Sequence, residues 1–196
     1  MRNRSSHLKI SFNSPVILIF TILCFAALLL GEATDGKTTD MFFSVYRSSL
    51  GSPLTYVRFA GHVLGHAGWE HFIGNIMLIL IVGPLLEEKY GSLNLLFVIL
   101  AVALVTGVIN FAFFPRIQLL GASGVVFALI LLSSFTSIKE GEIPLTFILV
   151  AAVYLGGQVY EGLFVPNNVA NLTHILGGFT GAVLGYVMNK NKMSRY

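Results

Sequence analysis

Residues 117–138 read IQLLGASGVVFALILLSSFTSI, an uncharged run that carries a serine between two glycines near its start. The run is long enough to cross the roughly 30 Å hydrocarbon core of a bilayer as a helix. Small residues in membrane helices usually permit close helix packing, which is the plainest interpretation of Gly121-Ala122-Ser123-Gly124. A hydroxyl group in lipid is also a candidate for chemistry. The rest of the chain has to decide between these two interpretations.

The composition indicates a protein that crosses a membrane several times. Of 196 residues, 55% are hydrophobic and only 11% are charged, against about 25% charged residues in a soluble domain. The net charge of +3 requires no nucleic-acid partner, because the basic residues gather at the two ends and in short turns. Cys24 is the single cysteine, which excludes a disulfide framework and a cysteine metal site and suggests a small buried apolar side chain.

Uncharged runs divide the chain into six predicted transmembrane helices. We expect an all-α polytopic bundle, because lipid admits only helices or closed barrels and no strand pattern is visible. The first run follows Arg2, Arg4 and Lys9 as a signal peptide would, but it lacks a small-x-small cleavage site and is better interpreted as a retained span. Besides residues 117–138, the runs are Pro15–Leu30, Phe72–Leu86, Ser92–Phe114, Ile143–Tyr160 and Gly162–Asn189.

The charged segments predict the domain organisation and the orientation. Residues 1–14 form a cytoplasmic segment, residues 15–189 the membrane domain, and residues 190–196 a basic cytoplasmic tail. Within the domain, residues 31–70 are too polar to span and rich in aromatic side chains, as expected of a loop at the membrane interface. With the N-terminus inside, eight basic residues face the cytoplasm and four face outward, which favours both termini in the cytoplasm. The compact six-helix form suggests a bacterial inner or plasma membrane.

Three polar residues inside the runs are predicted to lie at a common depth. His71, Ser123 and His174 each stand sixteen residues before the first charged residue at the cytoplasmic end of the helix, namely Glu87, Lys139 and Lys190. At ~1.5 Å per residue each lies roughly 24 Å above the inner face of the hydrocarbon slab. Scattered packing residues on three helices have no reason to share a level. The agreement favours chemistry over simple packing for Ser123.

The residues at this level supply what a nucleophilic serine needs. His174 is the candidate base, and no Asp or Glu lies inside any run, so a Ser-His dyad is indicated. Gly177, Gly181 and Gly185 follow at four-residue spacing and would let the sixth helix press against the fourth. Asn75, one turn after His71 on the same helical face, can donate to a developing oxyanion together with the His71 ring and the Ser123 amide. Gly121 and Gly124 keep bulk away from the substrate carbonyl.

The pattern H-x3-H-x4-H-x3-N from His62 to Asn75, then G-x-S-G, then His174 with G-x3-G resembles the rhomboid intramembrane serine proteases over essentially the whole chain. The resemblance implies Ser123 as nucleophile and His174 as general base. It also implies an oxyanion hole made by His71, Asn75 and the Ser123 amide. The expected function is hydrolysis of peptide bonds in single-span or polytopic transmembrane substrates near the outer membrane boundary, without a cofactor, metal or nucleic acid.

The resemblance also implies supporting roles and shows two departures. Phe127 stands where the family often has a tyrosine that stacks on the catalytic histidine, and Val57-Arg58 replaces a usual Trp-Arg pair, which leaves the anchoring of the long loop open. Glu87 fits the family's acidic residue at the end of the second helix, or is a solvated end charge. The other supporting residues are His62 and His66 in the loop, Asn171 before the base, and Gly177 and Gly181 for helix packing.

Three alternatives compete with a protease. A catalytically inactive rhomboid relative that binds membrane-protein clients would typically lack the serine or the histidine, and this chain has both. A metal site at His62, His66 and His71 lacks the H-E-x-x-H or H-x-x-E-H spacing and a carboxylate inside a span. A small-solute channel or transporter is disfavoured because no internal repeat is visible.

Overall fold

The computed structural model describes residues 12–135, 145, 148–149, 152–153, 156 and 168–193, and of residues 135, 168–174 and 189–193 only the backbone. These parts of the chain are helical and contain no strand, which confirms the all-α prediction. We number the α-helices α1 to α7 in chain order. They are α1 (Pro15–Ala33), α2 (Lys37–Phe42), α3 (Pro53–Gly61), α4 (Trp69–Tyr90), α5 (Ser92–Phe113), α6 (Ser123–Phe135) and α7 (Asn168–Met193), with a 3-10 turn at His62–Leu64.

Among the described residues, α1, α4 and α5 are long and apolar enough to cross a membrane. Shorter apolar stretches occupy Ser123–Ser134 in α6 and Ile175–Met188 in α7. The predicted fifth helix, residues 143–160, lies mostly outside the described residues, as do residues 1–11 and 194–196. Many apolar side chains on these helices are exposed, as expected of surfaces that face lipid.

The uncharged run begins at residue 117, but the helix within it begins six residues later, at Ser123. Gly121 has φ +124°, a backbone conformation that an α-helix does not contain. The residues before it are extended instead, and Leu119 pairs with Val45 through two antiparallel hydrogen bonds of 2.9 Å. The Asn110 side-chain amide donates to the carbonyls of Val45 and Ile117, at 3.1 Å each. The uncharged run at residues 117–138 thus contains both a helix and an extended strap, residues 117–120. The strap holds the α1–α4 loop, residues 34–68.

Glu87 lies at the meeting point of three helices. It is 4% exposed, and its two carboxylate oxygens accept the backbone N–H groups of Val16 and Ile17 at 3.0 Å each. The hydroxyl of Ser92 donates to the same carboxylate at 2.7 Å. The first N–H groups of a helix lack intrahelical acceptors, so Glu87 caps α1 while joining the end of α4 to the start of α5. It is not a solvated end charge.

The α1–α4 loop is anchored by a buried arginine. Nε of Arg58 donates to the carbonyl of Met41 at 3.0 Å, and Nη1 donates to the Ser48 hydroxyl at 3.4 Å. The guanidinium also lies 4.5 Å from the centre of the Tyr46 ring, a cation–π contact. Val57 is 48% exposed and takes no part. Tyr46 therefore supplies the aromatic contact of the arginine that anchors this loop.

Candidate active site

A cavity of about 460 Å³ opens between α4, the extended strap and α6. It brings together three of the residues that the sequence singled out for chemistry: Ser123, His71 and Asn75. Phe127, one turn after the serine, also lines it. The complete lining among the described residues is Glu70, His71, Gly74, Asn75, Leu78, Leu119, Leu120, Ser123, Val126 and Phe127. His71 is the third residue of α4, so the cavity lies near the α1–α4 loop end of a spanning helix.

Gly121 sits where no side chain fits. A Cβ on it would lie 2.7 Å from Cε1 and 2.8 Å from Nε2 of His71, and 3.8 Å from Oγ of Ser123. Its φ of +124° strains any residue with a Cβ. Its backbone N–H donates to the carbonyl of His62 at 2.9 Å. Gly121 thus leaves the space between His71 and Ser123 open and is held there by the α1–α4 loop.

The hydrogen bonds of His71 and Asn75 leave donors facing this space. The backbone N–H of Ala67 donates to Nδ1 of His71 at 3.4 Å, so in the neutral imidazole the proton belongs on Nε2. That is the nitrogen beside Gly121. The Asn75 amide spends one N–H on the carbonyl of His71, at 2.8 Å, and retains a second. Two N–H donors on one face of α4 therefore border the cavity.

Ser123 is the first residue of α6 and is half-buried. The N–H groups in the first turn of a helix have no intrahelical acceptor, and the helix dipole is positive at this end. An anion next to Ser123 would therefore meet backbone N–H groups as well as the His71 and Asn75 donors. This is the arrangement that stabilises the tetrahedral intermediate of acyl transfer.

The glycines of α7 set the level of His174 relative to the cavity. A Cβ on Gly177 would lie 2.5 Å from the carbonyl oxygen of Gly124, and one on Gly181 would overlap the backbone of Ala128. From the first contact to the second, both helices move on by four residues, from Gly177 to Gly181 and from Gly124 to Ala128. The helices α6 and α7 therefore run parallel, with their backbones in contact. His174 lies three residues before Gly177 in the same helix, so its backbone lies about 4.5 Å further back, at the level of the start of α6. The side chains of Asn171 and His174 lie outside the described residues.

His62 fixes the loop behind the cavity. Its Nδ1 lies 3.2 Å from the carbonyl of Arg58 and its Nε2 lies 3.2 Å from the hydroxyl of Thr106 on α5. Burial lowers the pKa of the His62 imidazole to about 4. With its proton on Nδ1, a neutral His62 donates to the Arg58 carbonyl, which leaves Nε2 in contact with the Thr106 hydroxyl. Because the His62 carbonyl receives the N–H of Gly121, this histidine ties α5 to the residue that shapes the cavity.

His66 packs directly behind His71. The two ring centres are 5.1 Å apart in an edge-on arrangement, and Phe72 lies 5.4 Å from His66 on another side. The Nδ1 of His66 donates to the carbonyl of Leu64 at 3.1 Å. Burial and then the neighbouring His71 lower the pKa of His66 to about 4. His66 is therefore neutral at pH 7 and restricts the movement of the His71 ring.

Thr106 and Asn110 are site-supporting residues that the sequence reasoning missed. Both are fully buried on α5 and bond to the α1–α4 loop. Their signal was present, since two polar residues four apart inside an apolar run share one helical face. The loop histidines make separate contacts, and among the described residues no group of three or more His, Cys, Asp or Glu is placed to hold a metal ion.

Comparison with known proteins identifies relatives of the whole fold. A family model described as Rhomboid domain matches residues 53–191. Rhomboid-related protein 2 of Mus musculus is 31% identical over 195 residues, covering 89% of this chain and 64% of the mouse protein. Rhomboid-related protein 1 of Caenorhabditis elegans is 30% identical over 143 residues, covering 68% of this chain and 40% of that protein. Rhomboid protease GlpG of Haemophilus influenzae is 24% identical over 182 residues, covering 89% of this chain and 91% of GlpG.

The chain thus spans less than two thirds of the two animal relatives and most of the bacterial protease. Because these relatives come from animals and a bacterium, the bacterial source expected above stays a prediction. The family model covers the loop arginine, the cavity and the glycine helix, which is well over half of the chain. With its apolar spanning helices, this membrane protein belongs to the rhomboid family.

Proposed function

We propose that this protein is an intramembrane serine endopeptidase that cleaves transmembrane substrates near one membrane face. One observation carries the proposal. The Ser123 hydroxyl, at the N-terminus of α6, shares a cavity with the side-chain donors of His71 and Asn75. Nucleophile and oxyanion donors are needed together for acyl transfer and serve no common structural purpose. The named activity of the bacterial relative, rhomboid protease GlpG, agrees with this choice.

In this mechanism His174 accepts the hydroxyl proton as Oγ of Ser123 attacks the carbonyl carbon of the scissile bond. The Ser123 amide, the second N–H of Asn75 and Nε2–H of His71 stabilise the oxyanion. The intermediate collapses, and the departing amine takes the proton from His174. Water then attacks the acyl-enzyme while His174 accepts its proton. The second intermediate collapses as the bond between the carbonyl carbon and Oγ breaks, Oγ of Ser123 takes the proton back from His174, and the carboxylic acid leaves.

The proposal extends to topology. We place six transmembrane helices in the chain, with the fifth at residues 143–160, and both termini in the cytoplasm. The excess of basic residues at the termini and at the Lys89 and Lys139 turns supports this orientation. The cavity then faces the outer side, as does the α1–α4 loop. Outer-boundary cleavage follows, because His71 is only three residues into α4.

A fluorophosphonate probe tests the nucleophile directly. Purified protein in detergent should be labelled covalently, and labelling should disappear in Ser123→Ala and fall at least 100-fold in His174→Ala. Ser133→Ala, a serine nearly three turns further along α6, is the matched control and should label as the wild type does. Labelling that persists in Ser123→Ala would overturn the assignment.

A panel of single-span substrates, analysed on gels, separates a protease from a client-binding relative. Cleavage of a panel member that Ser123→Ala abolishes supports the protease. A wild type that binds panel members in vesicles, takes no probe and cuts none of them would instead support the inactive, client-binding alternative. Both outcomes are read from the same preparations of the wild type and of Ser123→Ala, so the comparison does not depend on how well either protein is expressed.

A further inference from the structure

One carboxylate lines the cavity that holds Ser123. Glu70 is the second residue of α4 and directly precedes His71. No other carboxylate, and no lysine or arginine, is among the described residues that line this cavity. The mechanism proposed above gives Glu70 no role, although the residue shares the cavity with the nucleophile and the oxyanion donors.

Glu70, Gly74 and Leu78 form one strip on the surface of α4. They are spaced four residues apart, which places them on the same helical face, and all three line the cavity. His71 and Asn75, the proposed oxyanion donors, form the neighbouring strip. A substrate carbonyl held by the two donors therefore brings the adjoining substrate residues against the strip that begins at Glu70.

Gly74 leaves the middle of this strip empty. A Cβ on it would meet no atom within 4 Å, so there is a groove between Glu70 and Leu78. Further along α4 the lining is apolar and consists of Leu78, with Val126 opposite on α6. The groove thus has apolar walls at depth and a carboxylate at the end nearest the α1–α4 loop.

The Glu70 carboxylate is available to a ligand. Its side chain is exposed, and it makes no ion pair or side-chain hydrogen bond with any residue that the structure describes. Side chains on a helix tilt towards its N-terminus, so the carboxylate lies at the mouth of the cavity. A substrate entering the cavity has to pass this charge.

A lysine or arginine side chain matches the groove in length and in charge. Gly74 lies about 6 Å from Glu70 along the helix axis, at 1.5 Å per residue. Only a long side chain seated over Gly74 spans that distance. Lysine and arginine combine a long apolar stem with a cationic end, so the stem covers the apolar part of the groove while the cation meets the carboxylate.

We propose that Glu70 is a specificity-determining residue that selects substrates with lysine or arginine within a few residues of the cleaved bond. The inference rests on the proposed protease function, because it requires the substrate to bind in the cavity of Ser123. An exposed ion pair changes affinity by about fivefold at most. Glu70 therefore biases the choice among substrates and is not an absolute requirement for cleavage.

Cleavage of matched peptides tests this selection. Single-span peptides carry lysine, glutamine or glutamate at one of six positions around the outer boundary of the span, in vesicles of phosphatidylcholine, which has no net charge. For the wild type we expect kcat/KM of the lysine peptide to exceed that of the glutamine peptide about three- to fivefold at one position, with the glutamate peptide cut least. High salt should reduce the difference. Glu70→Gln should bring the ratio to one, and Glu70→Lys should reverse the order of the lysine and glutamate peptides.

The ratio separates recognition from a structural role. An acidic residue in the first turn also stabilises a helix through its dipole, and losing that effect would lower the rates for all peptides alike. Glu32→Gln is the matched control, because it removes an exposed carboxylate near the end of α1 that does not line this cavity. It should keep the wild-type ratio.

Three results would overturn the proposal for Glu70. The first is a wild type without a lysine preference at any position. The second is a preference of the same size in Glu70→Gln. The third is a preference that Glu32→Gln abolishes as well, since the general charge of this membrane face would then be responsible.

Binding to Ser123→Ala distinguishes failure of this proposal from failure of the protease function. The same peptides, carrying a fluorophore, are titrated into Ser123→Ala with and without Glu70→Gln. If the wild type cuts no peptide but Ser123→Ala prefers lysine and Glu70→Gln removes that preference, the protease function is wrong and recognition by Glu70 stands. If the wild type cuts lysine and glutamine peptides equally at every position, the role of Glu70 is wrong and the protease stands. If no peptide is cut and none is preferred in binding, both proposals are wrong.

Discussion

The two sides of the proposed site, which we call the α4 wall and the α7 wall, are built by opposite means. On the α4 side, polar side chains hold the α1–α4 loop and the strap: His62 reaches Thr106, Asn110 reaches Val45, and Arg58 reaches Met41. On the α7 side, glycines bring two helix backbones into contact without any side chain between them. The α4 wall positions His71 and Asn75, the proposed oxyanion donors. The α7 wall sets the level of His174.

This difference predicts which substitutions each wall tolerates. Hydrogen bonds contribute about 0.5–1.5 kcal/mol each and several of them share the α4 side, so single losses should be moderate. Backbone contact leaves no room for adjustment, so added volume on the α7 side should be severe. Among the described side chains, the buried histidines lie on the α4 side, so acid should destabilise that side. The predictions below test this division in order of expected size.

The α7 wall should break with one methyl group. Gly177→Ala places a Cβ against the Gly124 carbonyl, next to Ser123, and we expect about 3 kcal/mol of destabilisation and a loss of cleavage of about 100-fold. Thermal unfolding in detergent and substrate cleavage report the two effects. Gly178→Ala is the control, because its Cβ meets the flexible end of Leu131 at 3.0 Å and makes only ordinary contacts with Phe127, at 3.7 and 3.9 Å. Equal behaviour of the two variants would refute the backbone-contact account.

The α4 wall should break at Gly121, which lies against the His71 ring. Gly121→Ala directs a Cβ at the His71 ring and blocks the Nε2 donor, so probe labelling and cleavage should fall about 100-fold, as when an oxyanion donor is lost. The fold should suffer less, by roughly 1–3 kcal/mol of backbone strain. Gly36→Ala has a comparable positive φ, +81°, but no atom within 4 Å. If it reduces labelling as much, strain rather than crowding is responsible.

Three of the residues that the sequence singled out line one cavity, whereas parts of the scaffold around them were missed. Ser123, His71 and Asn75 were found because polar groups inside apolar runs are costly and their depths are fixed by helix geometry. The same rule, applied to α5, would have found Thr106 and Asn110. Hydrophobicity alone does not show that residues 117–120 lie outside the helix, or that Leu119 pairs with the distant residue Val45. Such pairing depends on tertiary contacts that periodicity does not encode.

The contacts of Glu87 and Arg58 could not be predicted, because their partners lie far away in the sequence. Glu87 was left between two interpretations because its capping of α1 requires knowing that two helix ends meet. Arg58 raised the opposite difficulty: Val57 precedes it where an aromatic residue was expected, and the ring that stacks on it, Tyr46, lies twelve positions earlier. Neither partner follows from local spacing. Both follow from the packing of the α1–α4 loop.

Acid should weaken the α4 wall selectively. His62 and His66 have pKa values lowered to about 4 by burial, against about 6.5 when unfolded. Their stability contribution is complete above pH 6.5 and is lost as the pH falls from 6.5 towards 4, because the unfolded state binds the extra protons. At pH 5.5 each costs about 1.4 kcal/mol.

The measurement is the melting temperature in detergent at pH 7.5 and pH 5.5. His62→Gln removes one titrating group, so its melting temperature should drop less between the two values than that of the wild type. Gly178→Ala, on the α7 wall, should show the full wild-type drop. Parallel curves for His62→Gln and the wild type would show that this histidine does not remain neutral in the fold.

The smallest expected effect isolates one hydrogen bond. Thr106→Val keeps the shape of the side chain but removes the hydroxyl that Nε2 of His62 contacts at 3.2 Å, and we expect a loss of about 1 kcal/mol in the free energy of unfolding. Thr180→Val on α7 is matched, since both hydroxyls also bond a carbonyl four residues earlier in their own helix. Only the excess of Thr106→Val over Thr180→Val belongs to His62. If the two variants lose the same free energy of unfolding, the contact between His62 and Thr106 does not stabilise the fold. The α1–α4 loop would then be held by packing and its other hydrogen bonds, and the two walls would differ less than proposed.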